Sequence, residues 1–337
     1  MVRRLILPVV GLLLVGLAGP RPGAGQAREV VRVATLKLVG SAPLLWAEDR
    51  GYFQREGLRV EFVYFGAAAP VATAVATGNV EAGATGITAT LFNLVAGGAR
   101  LWLVADRGQE RPGYPLNAVV VGRQAYDAGI RSLRDLRGRR LGITTLGSTF
   151  HYQIAKLLER DRMRPTDVEL VPLRELALVV QAVRTGQVTA AILSPPWGAV
   201  AEEEGWGKVL FYVGDRLVNQ VTGVFYGERL HQDRSLGVRF MTAYVRAARE
   251  YHDACLARPP RPSCAAIVRV TARALDQPDS VVQRSLPYID RDGRLYTLDL
   301  ERQEAWYLQN GMISRPVPLS RFVDMSFVGE AVRRLGP

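Results

Sequence analysis

Five short segments of this chain combine hydroxyls, glycine and aromatic rings where a small ligand could be held. Thr85-Gly86-Ile87-Thr88 sets two hydroxyls around a glycine just before a helical pattern. Thr145-Leu146-Gly147-Ser148-Thr149 sets three hydroxyls around a glycine before residues 150–160. Free N–H groups and a partial positive charge at a helix start suit a carboxylate, sulfonate or phosphate. Ser41 follows the strand pattern of residues 30–36, and Phe65-Gly66 closes that of residues 58–65. Ser194 and Trp197 flank two prolines after residues 188–193, and Asn117 opens the first crossing between the two halves. Each hydroxyl has a plainer alternative, a helix cap that touches no ligand. Trp197, Phe65, Phe150 and Tyr226 could stack on a ring, although aromatic residues in such folds are more often core.

The cations add little to these loops. Lys37 is the nearest, and Arg107 falls in a stretch, residues 107–115, read as a polar loop from its two Pro and two Gly. A small organic molecule, anionic or heteroaromatic, therefore fits better than a bare inorganic anion held by charge alone. His151, His231 and His252 are the only histidines. No G-x-S-x-G, H-E-x-x-H, cysteine-rich metal spacing or Walker loop occurs. The expectation is no catalytic residue, no metal and no cofactor.

The loops lie where strands end in a β-α-β-α alternation, which implies parallel strands covered by helices. The alternation occurs twice. Residues 74–82 and 182–190 share the frame A-V-x-T-G-x-V-x-A, each about forty residues after a strand signal at Val33 or Ile143. Two lobes on one plan are expected, and clefts between lobes are where small ligands bind. Residues 28–117 and 222–337 are assigned to lobe 1 with a helical tail, and residues 118–221 to lobe 2.

The 337 residues suffice for two cores, and 48% hydrophobic with 22% charged residues describes a globular chain. Residues 1–27 differ. Arg3 and Arg4 precede an apolar run from Leu5 to Ala18, then Gly23-Ala24-Gly25-Gln26-Ala27. That is the layout of a secretory signal, with cleavage expected near Ala27. No Cys follows the apolar run, so a lipid anchor is not indicated. A periplasmic or secreted, monomeric product is expected, with no membrane span in the mature chain. Its net charge falls from +11 to +8, because residues 1–27 hold three Arg and no acid. The basic residues are scattered, without the stripe of a nucleic-acid binder. Export would also place Cys255 and Cys264, with eight residues of a Pro-rich turn between them, in an oxidising compartment; a disulfide is the leading reading.

Four stretches carry a resemblance. They are Pro43-x3-Ala47-x3-Gly51-x-Phe53-x2-Glu56-Gly57-Leu58-x-Val60, Thr77-Gly78-x-Val80-x-Ala82, Ser132-Leu133-x-Asp135-Leu136-x-Gly138-x2-Leu141-Gly142 and Gly147-Ser148-Thr149. Together the sequence resembles the periplasmic solute-binding proteins of the nitrate, sulfonate, taurine and thiamine-precursor type, the NMT1/THI5-like family. The match departs at Glu81 and Thr189, where an Asp is usual. The resemblance implies an α/β, two-lobe type II periplasmic binding fold with parallel-rich sheets joined by two crossing strands. It also implies delivery of a small-molecule ligand to an ABC permease and its ATPase. The same fold hosts enzymes of menaquinone and thiamine-pyrimidine synthesis, and a sensor for a membrane receptor would share the pocket.

Overall fold

A computed structural model describes residues 28–337; the expected export segment, residues 1–27, lies outside the described residues. Ten strands form two five-stranded sheets. In chain order they are β1 Glu29–Thr35, β2 Leu58–Tyr64, β3 Ala82–Gly86, β4 Leu101–Glu110, β5 Ala118–Gly122, β6 Arg140–Ile143, β7 Glu169–Pro172, β8 Ala190–Leu193, β9 Gly207–Tyr212 and β10 Asn219–Gly227.

The sheets follow one plan. The first runs β2-β1-β3-β10-β4 and the second β7-β6-β8-β5-β9. In each, three parallel strands are followed by one inserted antiparallel strand, β10 in the first sheet and β5 in the second. β4 and β9 then pair antiparallel with that inserted strand, so four of five strands point one way. β4 leads into β5 and β9 into β10, which gives two crossings between the lobes. The two copies of the A-V-x-T-G-x-V-x-A frame occupy equivalent places, each leading into the third strand, β3 or β8. Glu81, in the first copy, is not at the cleft; it accepts from the Arg32 backbone N–H at 2.7 Å and pairs with its guanidinium at 2.8 Å.

Burial explains the layers. Val31 and Val33 of β1 face one core with the long helix Arg234–Cys255, while Ala34 faces another with Phe92, Tyr307 and Phe322. Neighbouring strand residues point to opposite faces, so sheet 1 is covered on both sides. Sheet 2 has its own core around Val119, Ile143, Leu157 and Ile192. The tail belongs mostly to lobe 1. Cys255 and Cys264 form a disulfide with Cα atoms 4.9 Å apart, tying the helix Arg234–Cys255 to Cys264–Leu275. The helix Thr297–Gln309 reaches both lobes: Tyr307 packs on Phe92 of lobe 1, and the Trp306 ring meets Tyr152 of lobe 2 edge-on.

One segment departs from the sequence reading. Residues 107–110 are not loop but the end of β4, paired with Asn219, Gln220 and Thr222 of β10. Their polarity hid the strand. Gln109, Glu110, Gln220 and Asn219 are all buried and bonded to one another, to Gln153 and to the tail, while Glu110 Oε2 has no partner. Turn chemistry begins only at Pro112-Gly113, and positive φ is found at Gly113.

Candidate functional site

The lobes meet over a small cavity. On lobe 1, the end of β3 supplies Thr85 and Gly86, and Thr88 opens the helix Ala89–Ala96. The Thr88 Oγ1 accepts the Leu91 N–H at 3.4 Å, capping that helix. On lobe 2, Ser148 caps the helix Thr149–Arg160, accepting the His151 N–H at 3.3 Å, and Thr149 and Ser194 complete the wall. Two helix N-termini therefore face one cavity, each with a positive dipole end.

The lobes are closed on each other. The Ala89 N–H donates to Gly147 O at 2.9 Å, Leu176 N–H to Gly66 O at 3.1 Å and Val39 N–H to Pro195 O at 3.3 Å. Gly147 has φ +76°, and a Cβ there would sit 2.7 Å from the Ala89 Cβ, so only glycine permits this approach. The space left between them is small, about 40 Å³, and partly open to solvent. Larger concavities of about 590 and 670 Å³ lie around Thr77-Gly78 and Thr185-Gly186. They are open grooves on single lobes, without polar groups converging from both, and the smaller cavity is the better site.

The group that dominates this cavity is Arg107, which the loop reading of residues 107–115 had set aside. It is 2% exposed and lines the cavity from β4. Its Nη2 donates to Ser41 Oγ at 2.5 Å and Thr35 Oγ1 at 3.3 Å, while Nε has no partner. Burial lowers its pKa to about 10, an effect Tyr244 and Asp106 oppose, so the group is a cation at neutral pH. Lys37, the cation expected nearest the loops, is exposed and lies 5.3 Å from the Tyr64 ring centroid. Thr222 also lines the cavity, at a register shift in the β10–β4 pairing, and its Oγ1 is buried without a partner. A bulge re-aims a side chain in this way. Gly108 opposite leaves room, since a Cβ there would come within 2.9 Å of that hydroxyl. Thr144 is a third polar group the sequence reading missed.

The remaining expected residues divide. Ser41 stands behind the cavity, holding Arg107 and donating to Leu36 O at 3.2 Å. Asn117 is fully buried; its Oδ1 accepts from Ser194 Oγ at 2.9 Å and its Nδ2 donates to Gln153 Oε1 at 2.9 Å. It positions Ser194 from behind. Gly66 contributes its carbonyl to closure but not to the cavity wall. Phe65 lines an outer groove of lobe 1 with Val63 and Pro70. Thr145 stands half-buried outside the cavity, and Trp197 packs on the lobe 2 core. Of the aromatic candidates only Phe150 lines the cavity; Tyr226 is core, donating to Gly237 O. His151 is buried, and its Nδ1 accepts the Gly147 N–H at 3.0 Å. Burial lowers its pKa, as a neutral acceptor ring requires. It holds the 145–149 turn instead of donating to a ligand.

Known proteins place this geometry. Residues 39–255 match the family described as NMT1/THI5 like. A protein of Brachyspira hyodysenteriae provisionally named an ABC transporter periplasmic binding protein is 22% identical over 266 residues, 76% of this chain and 73% of its own. The structure of the alkanesulfonate-binding protein SsuA from Xanthomonas axonopodis pv. citri, bound to MOPS, superposes with a TM-score of 0.70 at 20% identity. That match covers 89% of this chain and 99% of SsuA. The desulfurization enzyme DszB, in complex with biphenyl-2-sulfinic acid, superposes with a TM-score of 0.62 at 20% identity, over 91% and 99%. At these identities the two structures share the fold.

Proposed function

The chain belongs to the NMT1/THI5-like family, and on that premise we propose that it captures a small organic solute between its lobes and delivers it to an ABC importer. One observation carries the reading: polar groups from both lobes converge on one cavity, and interlobe hydrogen bonds flank it. A solute touching both walls binds the closed form better than the open one and draws the population toward closure. The partners are a permease, met on the outer side of the membrane, and the ATPase that drives it from the inner side. The export layout of residues 1–27 supports that address, and among the described residues no helix is long and apolar enough to cross a membrane. The working unit is a monomer, because its cavity is completed by its own two lobes.

The likeness to DszB favours a second reading, an enzyme on this fold. The residues speak for binding. Both cysteines are joined to each other, and His151, His231 and His252 are absent from the cavity wall. The reading needs no cofactor. Native mass spectrometry of gently purified protein tests it, followed by recovery of the released molecule. Release of an unchanged solute, with a smaller scattering radius when it is added back, is expected. Chemical conversion of that solute would shift the assignment to an enzyme.

A further inference from the structure

Arg107 is a buried cation with no carboxylate hydrogen-bonded to it. Its Nη2 is spent on two neutral hydroxyls, and its Nε is unpaired. Asp106, its neighbour in the chain, attracts it but makes no hydrogen bond to it: that carboxylate is taken by the Gly108 N–H, the Gln220 amide and the Asp290 N–H. Burying a charge without a partner is costly, and so is burying an N–H without an acceptor. Thr222 Oγ1 repeats the pattern beside it. Two unpartnered polar groups thus line one cavity, and both would be satisfied by an oxyanion.

The rest of the wall sets the limits of what that oxyanion can be attached to. The cavity lining holds no Asp or Glu. The helix N-termini behind Thr88 and Ser148 add positive potential. Leu36, Leu38, Phe150 and Leu176 make the remainder apolar. Within the solute-binding reading above, on which this rests, we propose that the cleft selects a compact organic monoanion that pairs with Arg107 and Thr222 and carries no ammonium group. One positive charge is matched by one negative charge. An ammonium on the same ligand would be buried beside a cation with no carboxylate to receive it, so zwitterions and heteroaromatic cations are rejected.

Isothermal titration at neutral pH tests this with two pairs of equal chain length, differing in methyl for ammonium. They are propane-1-sulfonate against taurine, and butanoate against β-alanine. At least one methyl-ended anion is expected to bind, about 100-fold tighter than its ammonium twin, the scale of a buried charge mispaired. Arg107→Gln should weaken that binding about 100-fold, and Arg107→Lys should recover part of it, keeping the charge without the fork. Thr222→Val, nearly isosteric, should weaken it about tenfold. An ammonium twin that binds equally well overturns the proposal, as does an anion indifferent to Arg107→Gln. Thermal unfolding is followed for each variant; should Arg107→Gln not fold, the wild-type pairs and Thr222→Val decide. A thermal-shift screen of uncharged solutes runs in parallel. Stabilisation by an uncharged solute, with no anion bound, overturns the monoanion and leaves the solute cleft standing. Conversion of a bound compound overturns the cleft's transport role instead.

Discussion

Lobe 1 and lobe 2 share a strand order but not a chemistry. The fifth strand of sheet 1, β4, has ten residues, and its last four reach into the junction with Arg107, Gly108, Gln109 and Glu110. The fifth strand of sheet 2, β9, has six, and none of its residues lines the cavity. Lobe 1 therefore brings the charge, steadied by Ser41 and Thr35, while lobe 2 brings hydroxyls at a helix N-terminus. A duplicated plan repeats the positions of loops, because those follow from strand order. It leaves each copy free to change what the loops carry.

The lobes also differ in how they are held, and this gives the largest expected effect. Only lobe 1 carries the stapled tail. Replacing Cys255 and Cys264 together with Ser should cost about 2–3 kcal/mol of stability. Ligand affinity should hold, since the disulfide lies away from the cavity; calorimetric unfolding and titration read the two separately. A matching loss of affinity would mean that the tail sets cleft geometry.

Next comes the lobe 2 wall. Ser148→Ala with Thr149→Ala should weaken ligand binding about tenfold and cost about 1 kcal/mol of stability from the lost cap. Thr88→Ala, the matching cap on lobe 1, should cost similar stability with a smaller loss of affinity, because Arg107 remains on that side. Equal losses of affinity from the two walls would contradict the division of labour.

Titration separates the lobes again, with a smaller effect. Lobe 1 should set the alkaline limit: binding needs charged Arg107, so affinity is flat at neutral pH and falls as pH rises through about 10. Lobe 2 should set the acid limit. His151 has its pKa lowered from 6.5 by burial, so the folded state favours the neutral ring. Its contribution is complete above pH 6.5 and is lost as pH falls through the depressed value. Protonation would break the Gly147 N–H to Nδ1 bond that holds the turn. His151→Asn should flatten the acid limb of the stability curve while leaving the alkaline fall in affinity unchanged.

Sequence alone determined the two-lobe plan, because strand and helix periodicity and the repeated A-V-x-T-G-x-V-x-A frame are local signals. It also located the helix starts at Thr88 and at Ser148 or Thr149, since a hydroxyl before an apolar period is a cap wherever it occurs; the structure makes Ser148 the cap. The Cys255–Cys264 bridge was legible from a short Pro-rich separation. What tertiary structure decided was which polar groups meet. Residues 107–110 read as loop because their polarity suits water; only β10, arriving from more than a hundred residues away, turns them into buried strand. The same pairing turns Thr222 into the cavity and fixes Arg107 against Ser41 and Thr35. Thr145, Trp197 and Phe65 lie near the right strand ends but point elsewhere, since side-chain direction follows from register and packing rather than from position along the chain. Local pattern marks where a strand ends; the energetic cost of a buried guanidinium with no carboxylate bonded to it, which marks the site, exists only once the chain has folded around it.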